Sequence, residues 1–175
     1  MKLLLYSLLF LTILSGSNCK KSSTTEDQLP PETTTGAMTF GCKVDGKVFV
    51  PKDGKGKPGL YVQYVYLGNG PGGGWFLNIP ATDWTQDSPN GVNIETDSLL
   101  VVQGQTYPFK NAKGFPRTFY DNGNLYPKLD SDSGELKITK FDPTTHILSG
   151  IFFFVGTNSS GTKINVTDGR FDIKY

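Results

Sequence analysis

Histidine occurs once, cysteine twice and tryptophan twice in 175 residues, and the charges nearly cancel. Each scarcity removes a class of function. A zinc centre takes four ligands, or three and an open position, and His146 and Cys42 are the only soft candidates beyond residue 38. Nucleophilic catalysis of the Ser-His-Asp kind needs an imidazole beside a serine. His146 stands at the mouth of a turn, Ser149 and Ser159 could meet it only by accident of folding, and no GxSxG is present. Lys and Arg number 17 against 16 Asp and Glu, and setting aside Lys2 (17 − 1) leaves 16 against 16. A chain so balanced lacks the field that draws a phosphate backbone, so nucleic acid is not an expected partner. No apolar run reaches the roughly 20 residues of a membrane-spanning helix. No cofactor is implied.

What is present begins with an export signal. Lys2 supplies a positive charge, residues 3–14 are apolar except for Ser7 and Thr12, and small polar residues lead to Cys19. These are the parts of a secretory signal over residues 1–18. A cysteine directly after them resembles the lipobox of bacterial lipoproteins, which implies that Cys19 becomes the acylated first residue of the mature chain. The lipobox usually has Leu three residues before the cysteine and a small residue just before it. Here those positions are Gly16 and Asn18. The competing reading is ordinary cleavage after Ser17, which leaves Cys19 free or paired with Cys42. With Cys19 acylated, Cys42 is expected to be a small buried hydrophobe. Residues 20–37 (KKSSTTEDQLPPETTTGA) contain no aromatic and one large aliphatic residue, Leu29. Such a segment buries too little to offset its ordering entropy. Residues 19–37 are therefore expected to be a disordered tether, of which 18 residues reach at most about 60 Å.

Residues 38–175 read as one all-β domain. Glycine is abundant, at 21 in the chain, and Pro and Asn interrupt at short intervals. Between the breaks lie runs rich in β-branched and aromatic residues, which favour strands. Strands are expected over 39–44, 47–50, 60–67, 75–79, 92–96, 105–109, 117–120, 135–141, 147–155 and 163–173. Asp45-Gly46 is a strong hairpin signal. The short links after 141 and 155 make the last three strands antiparallel neighbours. Residues 151–155 (IFFFV) are apolar on both faces, so this strand is expected to be covered on both sides. About ten short strands and no substantial helix give an antiparallel β-sandwich or a closed β-barrel.

The opening Cys42-Lys-Val-Asp-Gly46, closed by Pro51, and the ending Leu148-Ser-Gly-Ile-Phe-Phe-Phe154 with Val166-Thr-Asp-Gly-Arg-Phe-Asp172 carry a resemblance. They are similar to a family of uncharacterised Bacteroidota lipoproteins with a CxVxGxxxxP start and an ISGxFxF…TDGRFD end. The resemblance covers about a quarter of the chain directly. This chain departs from it at Phe49, where Trp is more usual, and at Ile151 in place of Thr. It implies an envelope lipoprotein with an all-β fold and brings no activity with it.

Several local patterns suggest chemistry. Gly68-Asn-Gly-Pro-Gly-Gly73 satisfies GxGxxG, but a strand follows where a dinucleotide site needs a helix, so a hairpin loop is expected. Asp130, Asp132 and Glu135 resemble half of a calcium loop and otherwise form a polar turn. Asp168, Arg170 and Asp172 share one face at period two and read as a surface ion-pair ladder. Asp97-Ser98-Leu99 matches the D-S/T-aliphatic pattern of O-glycosylation in some Bacteroidota, which makes Ser98 a candidate. Aromatics crowd the middle of the chain, and exposed Trp or Tyr can stack on sugars or partners. Trp84, in a polar loop, is the best candidate for ligand contact, followed by Trp75, Tyr64 and Tyr66. The expectation is a lipid-anchored outer-membrane protein, on a face the sequence does not give, that is not an enzyme and binds a protein or glycan. A lipocalin-like carrier of a small apolar molecule is the alternative, and a hydrolase using Asp168 or Asp172 comes third.

Overall fold

The computed structural model describes residues 28–175, and residues 1–27, which include the signal and Cys19, lie outside it. The described chain is all β. Its strands are β1 (Thr39–Val44), β2 (Lys47–Phe49), β3 (Gln63–Tyr66), β4 (Trp75–Asp83), β5 (Asn90–Thr96) and β6 (Thr106–Pro108). Then come β7 (Pro116–Asp121), β8 (Leu125–Pro127), β9 (Gly134–Asp142), β10 (Ile147–Thr157) and β11 (Lys163–Lys174). One antiparallel sheet has the order β2-β1-β11-β10-β9-β6 and the other β3-β4-β5-β7-β8. Both sheets are open, so the closed barrel is excluded and the sandwich stands. No described helix is long and apolar enough to cross a membrane.

The core follows from alternation. Leu77, Ile79 and Ala81 of β4 and Val92 and Ile94 of β5 point inward from the smaller sheet. Leu136 and Ile138 of β9 and Phe152 and Phe154 of β10 meet them from the larger one. These side chains form a single buried cluster. Between the sheets the core holds residues such as Phe109, Phe154 and Leu77, none more than 1% exposed.

In β11 the inward parity changes. Ile164 and Val166 are buried at even positions, Phe171 and Ile173 at odd ones. A bulge absorbs the extra residue where the pairing with both neighbours shifts, and Asp168 takes φ 52° there. Beyond it, Gly169 pairs with Phe152 and Gly150 with Phe171. Each phenylalanine ring lies over the opposite glycine: a Cβ on Gly169 would come within 2.5 Å of Phe152, and one on Gly150 within 2.7 Å of Phe171.

The sheets are joined by residues 98–103, which form no strand but bury Leu99 and Val101. Their amides are met by tyrosines: Val101 N–H donates to the Tyr64 hydroxyl at 3.1 Å and Val102 N–H to that of Tyr107 at 3.0 Å. The short strand β8 was not expected from sequence. It holds to β7 through pairs such as Tyr120 with Tyr126.

Two expectations are corrected. Residues 28–37, expected to be part of a disordered tether, lie against the domain. Leu29 and Pro30 cover Gly41, and residues 33–37 are fastened to Asp172. The composition argument failed because polar groups can be ordered by hydrogen bonds to one buried anion, with little apolar burial. Strand β10 is not covered along its whole outer face. Ser149 is buried beneath the N-terminal segment, whereas Phe153 is 42% exposed.

Candidate ligand-binding face

Strands β4, β5 and β7 position the best candidate site. Their inward residues belong to the core, so the alternate residues form the outer face of the five-stranded sheet. Cross-strand pairing arranges these in rows. In the first, Gln63, Asn78, Glu95 and Arg117 stand opposite one another in turn. The second runs Pro80, Asn93, Phe119 and Pro127. The third contains Thr82, Gly91 and Asp121. Trp84, one residue past the end of β4, stands at the margin. The groove along this face measures ≈ 380 Å³, and Trp84, Asn78, Asn93, Glu95 and Phe119 are among the residues lining it.

Its polar groups are only half used. Arg117 Nη2 lies 3.2 Å from Glu95 Oε1, and Asn93 Nδ2 donates to Glu95 Oε2 at 3.3 Å. The amide oxygens of Asn78, Asn90 and Asn93 and the Arg117 Nε are buried yet have no hydrogen-bond partner in the protein. A buried polar group without a partner costs about 1–3 kcal/mol, and those of Asn78, Asn93 and Arg117 stand in adjacent rows of the outer face. Trp84 is fixed beside them. Its Nε1 donates to the Pro58 carbonyl at 3.0 Å, and the Lys57 ammonium stands over the ring at 4.2 Å. Gly91 leaves the third row low: a Cβ there would meet the Ala81 carbonyl oxygen at 2.7 Å.

A second cleft of ≈ 400 Å³ opens at one end of the sandwich, between Phe49, Tyr120 and Asp83. Its buried carboxylate is already satisfied. Burial pushes the Asp83 pKa up, but the Thr85 hydroxyl and amide, with Lys52 and Gln86, outweigh it and hold the group below the usual carboxylate value. Asn90, opposite Asp83 at the inward parity, lines both this cleft and the outer groove, so the unpartnered atoms that belong to the outer face alone are those of Asn78, Asn93 and Arg117.

The remaining candidates have other settings. Tyr64 is buried, with ring centroids 4.9 Å from Trp75 and 5.1 Å from Tyr175. Burial raises its phenol to about 12. Trp75 is half-buried between Tyr64 and Tyr66, and Tyr66, 45% exposed, donates to Asn69. The structure thus joins Trp75, Tyr64 and Tyr66 in one stack and keeps Trp84 apart from it. Ser98 is half-buried in the left-handed region at φ 57°, and its hydroxyl donates to the Gly73 carbonyl at 2.8 Å.

Asp130, Asp132 and Glu135 do not converge as calcium ligands, and no cluster of three metal-binding side chains exists among the described residues. Asp132 instead accepts from Lys163 Nζ and Thr157 Oγ1, both at 2.6 Å, and these bonds, the one from Lys163 foremost, lower its pKa. An ammonium occupies the place of a cation. The glycine loop is the β3–β4 hairpin, closed by Leu67 N–H to the Gly74 carbonyl at 2.9 Å. His146 sits in the β9–β10 turn with its ring 5.4 Å from that of Tyr175. Cys42 is a free thiol in the core, and burial raises it to about 12.

The expected ion-pair ladder is corrected at Asp172. Asp168 does pair with Lys43, at 3.0 Å. Arg170 turns to the N-terminal segment, lying 3.9 Å from Glu32. Asp172 is 1% exposed and accepts from the Thr33 hydroxyl (2.6 Å), the Ser149 hydroxyl (2.7 Å) and the amides of Thr35, Gly36 and Ala37 (2.9, 2.8 and 3.2 Å). Burial alone would raise its pKa. The bonds from Thr33, Ser149, Thr35 and Gly36 reverse that and place it far below the usual carboxylate range. Its role is to fasten the chain's N-terminal segment.

Sequence reasoning named Trp84, which lines this groove, counted Phe119 only among the crowded aromatics, and did not join Asn78, Asn93, Glu95 and Arg117 to it. The available signal was the outward parity of β4 and β5, which carries Asn78, Asn93 and Glu95, residue types depleted in strands. No family model, no curated protein and no solved structure matches the chain.

Proposed function

We propose that this chain is a lipid-anchored protein of the cell envelope whose domain binds a ligand on the outer face of its five-stranded sheet. The single observation that carries the binding reading is the group of buried, unpartnered polar atoms on that face: Asn78 Oδ1, Asn93 Oδ1 and Arg117 Nε. A ligand that completes their hydrogen bonds removes a cost the free protein bears. The face offers orientation and contact, and no pair of groups on it is set up as nucleophile and base, which favours a binding role over catalysis. Support for the envelope placement is the order of charged start, apolar run and Cys19 in the sequence. The chain purified from its own host, and a Trp84→Ala/Asn93→Ala variant of it, are screened by thermal shift against fractionated envelope extract. A fraction that stabilises the parent and leaves the variant unmoved is expected. A fraction that stabilises both equally would put the ligand elsewhere and refute this reading.

A further inference from the structure

We infer that the ligand of this face is a neutral oligosaccharide chain. The inference rests on reading the five-stranded face as the binding surface, and three features of that face select the ligand class.

The first is the kind of hydrogen bonding left open. The unpartnered atoms of this face are the Asn78 and Asn93 amide oxygens and the Arg117 Nε–H. An occupant must therefore donate to both oxygens and also accept. Hydroxyl groups do both, and a sugar ring presents them at neighbouring carbons. A peptide strand recognises a sheet through unpaired backbone groups at its edge. The backbones of β4 and β5 are paired on both sides, so this face offers side chains only.

The second is charge. Glu95 and Arg117 stand 3.2 Å apart and neutralise each other, and Asp121 at the rim accepts the Gly123 N–H of its own turn at 2.8 Å. The face thus has no excess of cations with which to hold a phosphate or a polyanion. A neutral ligand asks for none.

The third is the alternation of polar and apolar rows. The row of Asn78, Glu95 and Arg117 adjoins the row in which Pro80 and Phe119 flank Asn93. Sugar rings are amphipathic in the same way, with C–H faces for rings such as Phe119 and Trp84 and hydroxyl edges for amides. Strands stand about 4.8 Å apart, close to the length of one pyranose unit, so consecutive sugars can meet equivalent positions on successive strands. Trp84 is held in place by its bond to Pro58 and by Lys57, so no ordering of that ring is needed on binding.

The test is affinity electrophoresis and titration calorimetry of the full chain with a panel of neutral glycans: laminarin, cellohexaose, xylan, yeast mannan and pullulan. Polygalacturonate and a peptidoglycan stem peptide serve as charged comparators. Asn93→Ala and Asn78→Ala are measured alongside, with far-UV circular dichroism to verify folding. At least one neutral glycan is expected to bind. Each variant should weaken it about tenfold, the equivalent of about 1.4 kcal/mol, with little change between 50 mM and 500 mM salt, because no charge is exchanged. No binding of any neutral glycan at millimolar concentration overturns the inference. Binding of a charged comparator alone, weakened by the same variants and by salt, overturns the ligand class and leaves the face reading intact. Glycan binding that neither variant weakens overturns both.

Discussion

Asp172 is where the structure makes its sharpest quantitative demand. Replacing it with Asn keeps the shape and removes the charge, and it turns one carboxylate oxygen into an NH2 group facing donors. Five groups, the Thr33 and Ser149 hydroxyls and the amides of Thr35, Gly36 and Ala37, lie within 3.2 Å of the two oxygens. About two charge-assisted bonds are lost, at about 1.5–3 kcal/mol each. Residues 33–37 are close to the surface, so water returns part of this. The net expectation for Asp172→Asn is about 2–4 kcal/mol of lost stability, read from urea unfolding with an unchanged slope. The shift in Tm is about 5–15 °C for a domain of this size. Protease cleavage within residues 28–37 should accelerate in the native state. Asp168→Asn is the control: its carboxylate lies on the same strand but is exposed and pairs with an exposed lysine, so its effect should stay within about 0.5 kcal/mol. Acid gives an independent reading. The folded pKa of Asp172 is depressed, so its contribution is complete above the unfolded value of about 3.9 and is lost as pH falls from there through the folded one. The parent should therefore lose stability below about pH 4 more steeply than Asp172→Asn does. Equal stability of the two carboxylate variants at neutral pH would refute the assignment.

Other consequences can be checked directly. Gly169→Ala and Gly150→Ala each drive a methyl into a phenylalanine ring, and each should cost about 1–3 kcal/mol by overpacking, measured by denaturant unfolding. Cys42, with no exposure and its thiol raised to about 12, should resist a thiol reagent at pH 8 until the domain unfolds, so the labelling rate reports global unfolding. Lys163→Met leaves the Asp132 carboxylate without its cation, and proton uptake by Asp132 should move to higher pH, seen as a carboxyl chemical shift in an NMR titration.

Much of the fold could be read in the sequence because it rests on alternation. The runs at 135–141, 147–155 and 163–173 became β9, β10 and β11 almost to the residue, since large apolar side chains recur at alternate positions in each, in β11 on either side of the bulge. What escaped had physical reasons. Strand β8 has one inward anchor, Tyr126, and a three-residue segment gives no period to detect. The bulge in β11 was visible in principle as the shift from even to odd burial between Val166 and Phe171. The N-terminal segment was misjudged because a disorder argument from composition counts apolar area and has no term for a distant carboxylate that collects amide protons. The candidate face was only half legible. A tryptophan in a polar loop attracts attention alone, whereas Asn78, Asn93 and Arg117 become a site only when the registers of β4, β5 and β7 set them side by side.

The placement of β11 also fixes when the domain can form. It pairs with β1 on one side and β10 on the other, and its Asp172 holds residues 33–37. Its contacts with β1 and with residues 33–37 join segments more than 120 positions apart, and loops of that length close slowly. Strands β1 and β2 are the first of the domain to leave the ribosome and can then pair only with each other. The larger sheet lacks its central connection until residues 163–174 have followed. A chain that crosses a membrane N-terminus first would complete its larger sheet only at the end of the passage. Losing the last dozen residues would therefore do more than shorten the protein: it would leave the first strands without the neighbour that holds them in the sheet.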